Sequence, residues 1–150
     1  MADIPTDIDP LQELPLEPRL RRIAASQQYM TSEQGENQLV SNYGIHRREV
    51  SGMLIAQKGL CACCTWDLDK PKPGFDRSPK WAIDHEGERG WRGNVRGILC
   101  YGCNTGIGKI GGKVRRADGE IVPVSTEVSI EKLRAAIAYL ERALARRPKL

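Results

Sequence analysis

The chain of 150 residues is long enough for one domain with flanking segments and too short for two independent cores. Hydrophobic residues make up 40% of it and aromatic residues only 5%, which argues against a large aromatic core and leaves room for a metal as a structural substitute. The net charge of +4 conceals an asymmetry: residues 1–18 hold five of the 19 acidic side chains and no Lys or Arg, leaving 23 basic against 14 acidic side chains, or +9, in the remainder.

A body this basic favours a polyanionic partner, nucleic acid first, although a soluble protein of moderately high isoelectric point fits the charge equally well. Residues 1–16, with Pro5, Pro10 and Pro15 among scattered acids, read as a mobile acidic tail. Nothing in this segment has the apolar stretch of a signal peptide, and no run in the chain approaches the roughly 20 residues that span a bilayer. The expected setting is therefore a reducing cytoplasm, where paired cysteines hold metal more often than they form disulfides.

Residues 17–58 read as a helical region. Leu20, Ile23 and Ala24 with Arg19, Arg21 and Arg22 predict a short basic amphipathic helix between Glu17 and Met30. Residues 31–42 are polar and ambiguous. A second helix is predicted from His46 to about Lys58, where Val50, Met53, Leu54 and Gln57 share a face and Gly59 suits the exit. His46 reads as a solvated residue at that helix start.

Residues 59–110 break the helical rhythm and hold all five cysteines and all three tryptophans. Trp81–Ile83 and Val95–Leu99 are β-like runs joined through a Gly-rich segment, as in a hairpin with a long loop. A helix should begin near Cys103. Beyond it, residues 111–150 combine a basic loop or small ribbon, ending near Val124, with a final helix. For that helix Ser129 is the predicted N-cap and Ile130, Leu133, Ile137, Leu140 and Leu144 form the apolar stripe.

Two Cys-x-x-Cys turns, Cys61–Cys64 and Cys100–Cys103, stand 35 residues apart. Each turn sets two thiolates on one side of a tight loop, within reach of a tetrahedral Zn²⁺ at about 2.3 Å. Together they close the coordination shell, so the expected zinc is structural, one per chain, and ties the loop before the hairpin to the helix after it. Buried unliganded thiols or a redox pair are the competing reading. Cys63 offers a Cys-x-Cys alternative with Cys61, but Cys61 with Cys64 repeats the spacing of the second turn, so Cys63 is read as a non-ligand.

Between the turns lies Ile83-Asp84-His85-Glu86, and Asn104 directly follows the second. Phosphodiester hydrolysis needs a base for water and a cation for the charge that grows on phosphate and leaving oxygen. Asp84 and Asn104 offer hard oxygen ligands, and His85 can accept a proton near neutral pH. Taken alone, the pair is as readily a surface Asp-His, and Asn104 a helix cap. Adjacent residues also point oppositely on a regular strand, so a bulge or strand end is required if Asp84 and His85 are to serve one site.

In this order and spacing the chain resembles the recombination endonuclease VII family of phage HNH, or His-Me finger, nucleases. The resemblance runs from Tyr43-Gly44-Ile45 through Cys61-x-x-Cys64 and Asp84-His85 to Val95-Arg96-Gly97-Ile98-Leu99-Cys100-x-x-Cys103-Asn104. It continues to the stretch from Leu133 to Leu140 and covers about two thirds of the chain. It implies an α+β fold: a small ββα-metal core with a Cys₄ zinc site, flanked by N-terminal and C-terminal helices. It also implies Mg²⁺- or Mn²⁺-dependent cleavage of DNA, commonly branched DNA of the Holliday-junction kind, and action as a homodimer built through helices. Zinc would fall to Cys61, Cys64, Cys100 and Cys103, the catalytic cation to Asp84 and Asn104, and the role of general base to His85.

One departure stands out. Where the family usually has Asp-His-Asp-His, this chain has Asp84-His85-Glu86-Gly87. Glu86 can stand in for the second acid and is counted with the catalytic residues. Gly87 cannot replace a histidine, and Arg89 or Arg92 could supply its phosphate contact. Arg89, Arg92, Arg96 and Lys109 are the expected DNA-binding residues, through phosphate rather than base contacts. Trp91 could stack on an unpaired base or pack on the zinc turn. Two rival expectations stay open: a general HNH nicking endonuclease of a phage, and a catalytically weakened, zinc-stabilised DNA-binding module.

Overall fold

A computed structural model describes residues 9–72, 81–85, 95–111, 113–115, 117–123 and 125–145. Two compact units share these residues, Met1–Asn104 and Thr105–Leu150. The architecture is α+β, with four helices and a two-stranded antiparallel sheet in the first unit.

Residues 9–16 do not behave as a tail. A turn closed by Gln12 N–H to the Asp9 carbonyl at 2.9 Å brings Leu11, Leu14 and Leu16 into the core. Three leucines among the prolines outweigh the acidic composition, because apolar burial rewards position rather than average polarity. Residues 1–8 lie outside the described residues.

Helix α1 (Pro18–Ala25) takes Pro18 at its first turn and buries Leu20, Ile23 and Ala24, the face that the spacing predicts. It stops well short of Met30. Gln27 adopts extended backbone, which lets its side-chain amide donate to the Trp81 carbonyl, and a separate short helix α2 (Gln28–Thr31) follows. The ambiguous polar stretch becomes α3 (Glu33–Tyr43), capped by Ser32, whose hydroxyl accepts the Gly35 N–H at 3.0 Å. Gly35 is there because α2 and α3 cross too closely for a side chain: a Cβ would lie 2.6 Å from the Tyr29 Cα.

Helix α4 (Arg47–Ala56) buries Val50 and Leu54 fully, and the chain leaves it through Lys58 and Gly59, both left-handed at φ 54° and 65°. Gln57 makes the connection to the sheet. Its side-chain amide donates to the Ile98 carbonyl at 2.8 Å and accepts the Ile98 N–H at 3.0 Å, as a neighbouring strand would. Strands β1 (Trp81–His85) and β2 (Val95–Cys100) pair antiparallel, Trp81 opposite Cys100 and Ile83 opposite Ile98. Trp81 is fully buried, and its indole N–H donates to the Ile23 carbonyl at 2.7 Å.

Helix α5 (Tyr101–Gly111) starts directly from β2, earlier than Cys103. In the second unit the basic segment forms a ribbon of β3 (Lys113–Arg115) and β4 (Ile121–Pro123), followed by α6 (Thr126–Ala145). Ser129 does not cap α6. Ser125 stands one turn earlier with an equally suitable side chain, and its hydroxyl accepts the Val128 N–H at 3.3 Å. Ser129 lies inside the helix and donates to the Ser125 carbonyl. Of the predicted apolar stripe, Ile130 and Ile137 are exposed, at 41% and 55%.

Candidate functional site

The first Cys-x-x-Cys turn is built by backbone bonds. Cys61 N–H donates to the Trp66 carbonyl at 2.8 Å, Thr65 N–H to the Cys61 carbonyl at 2.9 Å, and a bridge between Leu60 and Asp67 closes the base. Ala62 N–H donates to the Ile98 carbonyl at 3.1 Å, seating the turn on β2. A Cβ at Gly97 would press on Gln57 Oε1 at 3.3 Å and make ordinary contact with the Ala62 Cβ at 3.5 Å. Two ion pairs, Arg19 with Asp67 and Arg22 with Asp69 at 2.9 Å, hold α1 against the far side of the turn. These arginines of the basic helix are thus engaged within the fold.

The second turn begins at the last residue of β2 and continues into α5. The sulfurs of Cys61, Cys64, Cys100 and Cys103 all lie within 4.8 Å of one another. A tetrahedral site with metal–sulfur bonds of about 2.3 Å sets its sulfurs about 3.8 Å apart. The Cys64 and Cys100 sulfurs are 3.8 Å apart, so the four thiols can hold a zinc ion. Cys63 is exposed and is not one of the four.

Two kinds of donor face the sulfurs. The Cys100 N–H donates to Cys61 Sγ at 3.2 Å, and the Lys72 ammonium donates to Cys100 Sγ at 3.1 Å and Cys64 Sγ at 3.3 Å. Burial pushes the Cys61 thiol up, and burial followed by the bonds to Cys100 and Cys64 pushes Cys103 up. Burial also opposes ionisation of Cys64, but the Trp66 backbone N–H and the Lys72 ammonium lead the groups that outweigh it, bringing this thiol down to about 6. Lys72 is itself held cationic by its bonds to Cys100 and Cys64. Four thiolates around a divalent ion carry a net charge of about −2, and a fixed ammonium offsets part of it. Lys72 lies in a loop rich in Lys, Pro and Gly, and nothing in its sequence neighbourhood distinguished it from a solvated lysine.

The other pair of interest lies twelve positions apart in the chain. Arg96 Nε lies 2.8 Å from Asp84 Oδ2 and its Nη2 3.0 Å from Oδ1, a two-pronged ion pair on a buried carboxylate. Asp84 is opposite Gly97 and His85 opposite Val95, so the register shifts between Asp84 and His85, and Arg96 is the extra residue of a β-bulge. The irregularity thus falls between the two residues whose opposite aim a regular strand would enforce. His85 ends β1 with its ring against Tyr43, centroids 5.4 Å apart and planes at 63°, and Tyr43 meets Tyr29 edge-on at 6.2 Å. Tyr43, the C-terminal residue of α3, opens the Tyr43-Gly44-Ile45 string, which was the sequence signal for it.

Asn104 occupies the first turn of α5, half-buried, one residue past Cys103. Lys109 is exposed near the end of that helix. Glu86, Arg89 and Arg92, with Gly87 and Trp91, lie outside the described residues.

The family model of recombination endonuclease VII matches residues 36–142, a span that takes in both cysteine turns, Asp84, His85, Asn104 and most of α6. The chain belongs to the recombination endonuclease VII family. Neither curated proteins nor solved structures yield a match to it. An endonuclease VII chain is a nuclease by family, with DNA as its partner. Among the described residues no helix is long and apolar enough to cross a membrane. The matched span begins inside α3, so α1, whose Arg19 and Arg22 brace the first cysteine turn and whose Ile23 carbonyl accepts the Trp81 indole N–H, lies ahead of it.

Proposed function

We propose that this protein is a Mg²⁺-dependent endonuclease that hydrolyses phosphodiester bonds in branched DNA. The observation that carries the reading is the bulge between Asp84 and His85, set in a hairpin whose second strand runs directly into the helix bearing Asn104. A structural zinc at the four thiols would clamp that strand–helix junction, and a zinc with four sulfur ligands has no open position for chemistry. Catalysis therefore falls to the oxygen and imidazole donors beside it.

His85, steadied by Tyr43, takes a proton from the attacking water. The water oxygen forms a bond to phosphorus as the bond to the leaving sugar oxygen breaks, leaving one phosphate end and one hydroxyl end, with solvent protonating the leaving oxygen. Asp84 and Asn104 are the residues that would hold Mg²⁺ or Mn²⁺, which supplies charge neutralisation at the phosphate. Glu86 would assist at this site, and Arg89, Arg92, Arg96 and Lys109 would bind the DNA backbone.

The protein acts as a homodimer in this reading, within the cytoplasm, which is the host cell's if the chain is phage-encoded. Supporting the dimer is α6, where Ile130 and Ile137 of one stripe are exposed in the single chain. Gly87 in place of a histidine favours a second reading, a zinc-stabilised DNA-binding module with weakened catalysis. A general nicking endonuclease differs from both in lacking a preference for junctions.

Purified protein incubated with Mg²⁺ and either a four-way junction or the matching linear duplex tests the three together. Junction cleavage that His85→Ala abolishes supports the proposal. Equal cutting of both substrates supports the nickase, salt-sensitive junction binding without cleavage supports the module, and wild-type rates in His85→Ala remove His85 from the chemistry.

A further inference from the structure

Both carboxylate oxygens of Asp84 accept hydrogen bonds from one guanidinium. That arrangement does not fit an open cation ligand. Magnesium sheds its waters reluctantly and requires near-ideal octahedral geometry, and a fixed guanidinium on the same carboxylate sets two positive groups within a few ångströms. The Asp84 side chain is 12% exposed and the Arg96 side chain 30%, so the arginine, and not the aspartate, has a route outward. Arg96 is also the bulge residue of β2, where the ladder holds the backbone least.

A guanidinium fork that fits a carboxylate fits a phosphate equally well. We propose that Arg96 is an exchangeable partner: it closes Asp84 in the DNA-free protein and passes to a backbone phosphate of bound DNA, opening the carboxylate to a divalent cation. This rests on the reading of Asp84 as a cation ligand. DNA and cation then bind cooperatively, and by linkage each strengthens the other to the same degree. The cation site is completed by the substrate, so the free protein carries a weak site and does not hold a loaded centre away from DNA. Arg96 thus has two duties, phosphate clamp and positioning residue for Asp84, in succession.

The test follows Mn²⁺ by the paramagnetic resonance of the free ion, using His85→Ala as background so that DNA is not consumed. Circular dichroism and melting midpoints check the fold of each variant, and Mn²⁺ held by a short linear duplex alone is subtracted. Without DNA, adding Arg96→Gln should tighten Mn²⁺ binding at least about tenfold, the scale of one lost charged hydrogen bond. Arg96→Lys, which keeps the charge but not the fork, should fall between. Adding duplex DNA should tighten Mn²⁺ binding clearly more with Arg96 present than in the Arg96→Gln protein, where only the phosphate's own contribution to the site remains. Equal or weaker Mn²⁺ binding in Arg96→Gln, or the same gain from DNA in both proteins, overturns the exchange. Asp84→Asn separates the layers. If it leaves Mn²⁺ binding intact, Asp84 is no ligand and the underlying reading fails; if it abolishes binding while Arg96→Gln gives no gain, only the exchange fails.

Discussion

Trp81 and Ile23, 58 positions apart, are joined by an indole N–H that donates to a backbone carbonyl at 2.7 Å inside the core. This bond fixes the start of the hairpin to α1, while the Gln27 amide returns a second bond to the Trp81 carbonyl. The same hairpin carries Asp84 and His85 at its other end, so the position of the candidate site is set partly by a helix that the family match does not reach.

Trp81→Phe should therefore cost about 0.5–1.5 kcal/mol, the net worth of the lost indole bond, because Ser26 still donates its N–H and its hydroxyl to the Ile23 carbonyl. Trp81→Ala should cost about 3–5 kcal/mol through the cavity as well. Urea unfolding midpoints measure both. A phenylalanine variant as stable as wild type would mean that the indole bond adds nothing net.

Removing the metal should destabilise the hairpin region. In peptides without a core of their own structural zinc contributes on the order of 10–16 kcal/mol, and the buried Trp81, Ile23, Leu54 and Ile98 make this fold less dependent on it. Elemental analysis should find one zinc per chain, retained in Cys63→Ser and lost in Cys100→Ser, and a strong chelator should lower the wild-type melting midpoint. Full zinc content in Cys100→Ser, or loss of it in Cys63→Ser, would reassign the ligands.

Proton release on metal binding reports the unequal thiols. Cys64 falls from an ordinary 9.0 to about 6 in the folded chain. Because the folded value is depressed, its stabilisation of the metal-free fold is full above about pH 9 and is lost as the pH drops through about 6. At pH 8 zinc displaces no proton from Cys64, whereas at pH 5 it displaces one. Calorimetry in buffers of different ionisation enthalpy should show the proton count rising by about one between these limits. In Lys72→Gln the step should move to higher pH, since the ammonium is among the groups that lower Cys64. A wild-type count that stays flat across the range would contradict a pre-ionised Cys64.

Spacing was enough to reveal the four clustered cysteines, the hairpin runs and the buried faces of α1 and α4, and the resemblance of short motifs pointed to the family, because each depends on residues close in sequence or on a repeated local geometry. Other features were decided in three dimensions. The leucines of residues 9–16 joined the core despite their acidic surroundings, since burial depends on which surface lies nearby. The polar stretch at 33–43 became a helix because Ser32 could cap it and Gly35 could pass α2. Ser125 displaced Ser129 as the cap of α6 because either side chain could do it and the helix extended to the earlier one. Lys72 beside the sulfurs, Tyr43 beside His85 and Arg96 on Asp84 are pairings across loops, a bulge and separate elements. A sequence names the partners of such contacts but not the pairing, because which charges meet depends on backbone directions that only the packed core imposes.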